Sequence, residues 1–204
     1  MVGRHDFSEG LLEWLIPART PFIRIHHESR GPVWFGPGAG HPPAYRFDAP
    51  AGEFGVMYVA EHLEGAFVET VLRKRTGRIV VRTFVEARQW TRLSSDRPLV
   101  LAKAFDEGLS FHGLDSNISS SDSYADCQAF ALAVHSTFPH VDGIAYRSRH
   151  DNGQISYALF ERCALPSPLT DGGATRFDAV RPIIDDLMHR YGAHWDLSPP
   201  LPGP

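Results

Sequence analysis

Apolar and polar residues interchange along Pro21–His27 (PFIRIHH) in the manner of a β-strand. A short amphipathic stretch, Phe7–Ile16, precedes it and is cut off by Pro17. Phe54–Ala60 (FGVMYVA) is an almost unbroken apolar run, as expected of a strand buried on both faces. From His62 to Lys74 the spacing of Ala66, Phe67, Val71 and Leu72 predicts a helix, stopped by Thr76-Gly77. Tyr58 therefore falls in a strand and Glu69 on the helix that follows it. Arg78–Trp90 (RIVVRTFVEARQW) reads as the clearest strand of all, with Ile79, Val81, Thr83 and Val85 on one side and Val80 and Phe84 on the other.

Pro98–Ala102 predicts a further short strand. A serine-rich loop after Phe111 gives way near Ser123, where Ser or Asp can cap the first turn, to a helix running to about Phe138. Gly143–Ser148 and Ile155–Cys163 predict two strands joined by the polar turn RHDNGQ. A last helix is expected over Phe177–Tyr191, followed by a proline-rich tail, residues 197–204, expected to be poorly ordered. Strands and helices mix without a regular βαβ alternation, which predicts an α/β or α+β fold. The chain, residues 1–204, reads as one domain with its core at about 20–165.

Composition narrows the chemistry. A formal net charge of -4, with no lysine-rich run, supplies no basic field for DNA or RNA, so direct nucleic-acid binding is disfavoured. No stretch approaches the roughly 20 apolar residues of a membrane span, and the amino terminus lacks the pattern of a signal peptide, so a cytoplasmic location is expected. Cys127 and Cys163 are far apart and form no CxxC pair. The adjacent His26 and His27 would point to opposite sides of a strand, HExxH and HxH are absent, and no metal site is expected. Gly36–Gly40 has neither the Lys-Ser/Thr of a Walker loop nor a strand-to-helix context, and Ser148 lies in no GxSxG elbow. The Gly/Pro-dense segment of residues 31–47 is a loop long enough to be functional.

One spaced set carries chemistry: Arg46, Tyr58 and Glu69, followed much later by Ser148. A guanidinium for phosphate, an aromatic ring for a planar base and a carboxylate for a developing cation suit a nucleotide whose N-glycosidic bond is broken, with NAD the foremost substrate. Each residue also has a plain structural reading. Arg46 could be a surface cation, Tyr58 a satisfied core ring, and Glu69 the partner of Arg73 on a solvated helix face, worth only a few tenths of a kcal/mol.

From about Phe22 to Glu161, some two thirds of the chain, the sequence resembles the RES domain, a family named for its Arg, Glu and Ser. The matching blocks are FIRIHH, RFD, GVMYVAEHLEGAFVETV, YADCQAFALAVH, DGIAYRSRH and a strand ending ALFER. The resemblance implies a compact fold like that of ADP-ribosyltransferase toxins, with a central mixed sheet and flanking helices. It implies a bacterial toxin that consumes NAD by hydrolysis or phosphorolysis of the nicotinamide–ribose bond. Protein ADP-ribosylation, or an inactive module that only binds a partner, are the alternatives. It further implies a cognate antitoxin with an Xre-like helix-turn-helix part. Arg46, Tyr58, Glu69 and Ser148 match the family's positions, and Arg24 matches an arginine present in some members. On this reading Glu69 stabilises the ribosyl cation, Arg24 and Arg46 hold the pyrophosphate, Tyr58 orients nicotinamide, and Ser148 bonds the nicotinamide–ribose end. The chain departs from the common GGRWN block, reading Ala44-Tyr45-Arg46-Phe47-Asp48.

Overall fold

The structure, a computed structural model, describes residues 7–38, 40–73 and 78–196. In chain order the elements are β1 (Glu13–Ile16), β2 (Phe22–His27), β3 (Val56–Ala60), α1 (Leu63–Thr70), β4 (Ile79–Val80), α2 (Arg82–Glu86), β5 (Arg88–Ser94) and β6 (Leu99–Ala104). There follow α3 (Glu107–Phe111), α4 (Asn117–Ser120), α5 (Ala125–Thr137), β7 (Gly143–Arg147), β8 (Ile155–Phe160), β9 (Thr170–Arg176), α6 (Arg181–Arg190) and β10 (His194–Trp195). Eight strands form one sheet in the order β1-β6-β7-β8-β3-β2-β5-β9. Only β6 and β7 run parallel among its neighbours; the rest are antiparallel, so the sheet is mixed. β4 and β10 make a separate parallel pair.

Side-chain alternation along β3 and β8 sets the layers. Val56, Ala158 and Phe160 join Phe130, Ala131 and Val134 of α5 in one cluster, while Met57, Val59, Tyr157 and Leu159 point the other way into a second, with Phe22, Leu93 and Leu101. A third cluster joins Ile23 and Ile25 of β2 to Phe67 of α1 and to Ile184, Leu187 and Met188 of α6. The fold is thus a mixed α/β domain with helices flanking a central sheet.

The sheet is not uniformly closed. β2 pairs with β5 from Phe22–Leu93 to His27–Arg88, but meets β3 at a single position, Ile23–Ala60. Beyond it the two strands diverge. The long loop after β2 returns to β3 only at Gly36, whose N–H donates to the Val56 carbonyl at 3.2 Å. Tyr58 lies between these two closures, at the split.

Two expectations need correction, and one strand had no sequence signal. Residues 78–90 are not one strand: α2 interrupts them, with Val85 buried while Ile79, Val81 and Phe84 remain exposed. The run of β-branched residues read as a strand because Val81 and Val85 satisfy a helical spacing as well as a two-residue one. The amphipathic stretch Phe7–Ile16 ends, as its Pro17 stop implies, in β1, an edge strand. No side chain caps α5, whose preceding residue is Tyr124. β9 (TDGGATR) has no apolar alternation to betray it, because it is an exposed edge strand paired only with β5. The proline-rich tail from 197 lies outside the described residues.

Candidate active site

A cleft of about 1080 Å³ opens at the split between β2 and β3. Arg24, Arg46, Tyr58 and Glu69 all line it, so residues spread from β2 to α1 converge on one cavity. Ser148 does not line it: the side chain is wholly buried behind Glu69.

Glu69, half-buried at the end of α1, is held by two hydrogen bonds. Its Oε1 accepts from the Ser148 hydroxyl at 2.6 Å and from the Arg149 backbone N–H at 3.0 Å. Both donors come from the turn after β7, and the Ser148 N–H is itself fixed to the Gln154 carbonyl across that turn. A carboxylate with one oxygen tethered twice cannot swing away, and its fork is oriented. The helix-face pair with Arg73 does not form; among the described residues no ion pair joins Glu69 to Arg73, which lies instead over the Tyr45 ring at 4.4 Å.

Tyr58 is an organiser. Its hydroxyl accepts from the Phe47 N–H at 2.8 Å and donates to Asp48 Oδ1 at 2.9 Å, while Asp48 Oδ2 accepts from the N–H groups of Ala44 and Tyr45. Burial, reinforced by the Asp48 charge, pushes the Tyr58 phenol well above its ordinary value, so it stays protonated and cannot serve as a base. Asp48, only 1% exposed, thereby ties residues 44–48 into the turn that carries Arg46. Sequence reasoning did not single out Asp48; its place two residues after Arg46 was the available signal.

Arg46 is 8% exposed. Its guanidinium reaches the Ile118 carbonyl at 3.4 Å and the Cys127 sulfur at 3.7 Å, and lies 4.9 Å from the centre of the Tyr124 ring. Both contacts are long, and among the described residues no carboxylate pairs with it. A buried cation so poorly compensated is poised for an anion. Arg24, on β2, donates to the Pro32 carbonyl. Burial brings its pKa down to about 10, leaving it charged at neutral pH.

Tyr146 of β7 completes the floor. Burial and the nearby Glu69 carboxylate push its phenol well above the ordinary range, whereas Arg46 and Arg73 act in the opposite direction. Acid, arginines and phenol therefore lie within electrostatic reach of one another. On the cleft wall the Trp34 ring sits so close over Gly36 that a Cβ there would lie 2.1 Å from it, so any larger residue would displace the ring.

Taken together, these features define the class: a mixed α/β domain with an arginine-lined cleft at a sheet split and a braced carboxylate on its floor. The RES domain family matches residues 21–178, and the chain belongs to it. Among solved structures the chain is similar to one from the M. tuberculosis MbcT–MbcA toxin–antitoxin complex. The TM-score is 0.63 and the identity 18%, covering 83% of this chain and 87% of that one, a likeness of fold. A comparison with curated proteins finds no match. Among the described residues no helix is long and apolar enough to cross a membrane, and no group of three His, Cys, Asp or Glu could hold a metal ion.

Proposed function

We propose that the protein is a toxin enzyme that breaks the nicotinamide–ribose bond of NAD, held in check by a cognate antitoxin. The observation that carries this reading is the Glu69 carboxylate, fixed by Ser148 and Arg149 within the cleft that Arg46 also lines.

The chemistry follows from charge. As the bond to nicotinamide lengthens, its electron pair leaves with nicotinamide, which becomes neutral, and positive charge grows on the ribose. Glu69, already oriented, stabilises that charge without reorganisation; such preorganised electrostatics are worth several kcal/mol. Arg46 and Arg24 hold the pyrophosphate through planar guanidinium forks that lysine cannot reproduce. Tyr58 offers its ring to nicotinamide while its hydroxyl holds the Arg46 turn. Ser148 acts on the reaction through Glu69, as a positioning residue, since its hydroxyl is donated there. The incoming nucleophile then gives an electron pair to the electron-poor ribose carbon, forming the new bond in place of the one to nicotinamide and releasing its proton to solvent.

Family membership supports an NAD-directed toxin, and the fold shared with a chain of a toxin–antitoxin complex supports an antitoxin partner. An Xre-like helix-turn-helix part on that partner accords with a chain whose net charge of -4 disfavours direct nucleic-acid binding. The test is incubation of purified protein with NAD, with and without phosphate and lysate protein, followed by chromatography. Nicotinamide should appear with ADP-ribose in free, phosphorylated or protein-bound form, which identifies the acceptor. NAD left intact under all three conditions would overturn the reading.

A further inference from the structure

The charge lining the cleft exceeds what a pyrophosphate requires. Arg24, Arg46, Arg73, Arg78 and Arg88 all line it, and among the described residues none of the five has a carboxylate partner. Arg149, the sixth, is neutralised by Asp122 at 2.8 Å. Glu69 removes one of the five charges, so about four remain in a chain whose net charge is -4. The pyrophosphate of a dinucleotide carries about two negative charges and a phosphate monoester up to about two more at neutral pH. The arginines match a ligand with both.

Position indicates where the additional phosphate belongs. Ser148 follows β7 and braces Glu69; Arg88 opens β5, four strands away across β8, β3 and β2. At about 4.8 Å per strand the lateral part of that separation alone is about 19 Å, and the strand registers offset the two residues further, so Arg88 stands at the far end of the cleft from Glu69. At this far side the surface changes character. Phe84, exposed and lining the cleft, carries the Arg88 guanidinium 4.3 Å from its ring centre, and Val81 and Ile79 are exposed beside it. A planar apolar surface next to a stacked, half-buried arginine suits a purine whose ribose bears a phosphate, the arrangement by which arginine accommodates an adenosine 2′-phosphate in dinucleotide sites.

We propose that the end of the cleft formed by Phe84 and Arg88 is a seat for the 2′-phosphorylated adenosine of NADP, making NADP the preferred substrate. The proposal rests on the NAD-cleaving reading for turnover, but the seat itself can be tested without turnover. In the Glu69→Gln protein, calorimetry with adenosine 2′,5′-bisphosphate and with adenosine 5′-monophosphate compares the two ends directly. The bisphosphate should bind about tenfold or more tightly, the value of a charge-assisted contact, and Arg88→Ala should erase the difference. Arg88→Lys, which keeps the charge and the stem but loses the stacking plane, should retain part of it and controls for folding. Equal binding of the two ligands, or a preference that survives Arg88→Ala, would overturn the seat.

Turnover distinguishes the two readings. Nicotinamide release with a higher kcat/KM for NADP than for NAD supports both. Release at equal kcat/KM overturns the NADP preference alone, and tight bisphosphate binding without any release overturns the cleavage reading while leaving the seat intact.

Discussion

The Tyr58 hydroxyl serves two groups at once, the Phe47 N–H and Asp48 Oδ1, both in the turn that carries Arg46. Tyr58→Phe keeps the ring and removes both bonds, leaving a buried donor and a buried carboxylate oxygen without this partner, a loss of about 1–3 kcal/mol. Urea denaturation should register that loss, and an unchanged midpoint would contradict the anchoring role. Ser148→Ala tests a different link. If the serine acts by orienting Glu69, kcat should fall about tenfold while KM for NAD stays nearly constant; a rise in KM with kcat preserved would instead place the hydroxyl on the ligand. The candidate residues were legible in the sequence as chemical types at suggestive spacings. Their division of labour was not, because it depends on which hydroxyl meets which carboxylate across the fold: Ser148 stands behind Glu69, and Tyr58 is committed to Asp48.

At the scale of elements, buried alternation was the reliable signal. β2, β3, β7, β8, α1 and α5 were readable because each turns apolar side chains towards a packed layer. α2 and β9 were not, because the exposed Ile79, Val81 and Phe84 serve the cleft rather than the core, and β9 is polar along its length. α5 also carries a pH response. His135 stacks on Phe54 at 4.1 Å and meets Phe160 edge-on, and burial, with the Arg162 charge, lowers its pKa to about 4. The unfolded chain takes up this proton near pH 6.5 and the folded chain only near pH 4, so between these values the unfolded state binds more protons and stability falls as pH falls. Thermal unfolding should show the wild type losing more stability than His135→Gln on acidification from about pH 7 to about pH 4.5. Parallel losses in the two proteins would contradict a neutral, half-buried imidazole.

The whole molecule sets a cationic cleft in an acidic chain. Net charge alone argues against a polyanionic partner such as DNA, yet the split between β2 and β3 gathers arginines from distant parts of the sequence into one cavity. No linear pattern announces that clustering, since Arg24 and Arg88 come together through the β2–β5 pairing, and Arg46 joins them across the split left between the single β2–β3 contact and the return of the Gly36 loop. The same opening sets the Glu69 carboxylate among those cations. The most direct test compares nicotinamide release from NAD by the wild type and by Glu69→Gln, with NAD affinity measured in both. Release should fall on the order of a hundredfold or more in the variant while affinity and unfolding midpoint are kept. Equal release by the two proteins would show that the carboxylate at the floor of the cleft is not where the reaction is driven.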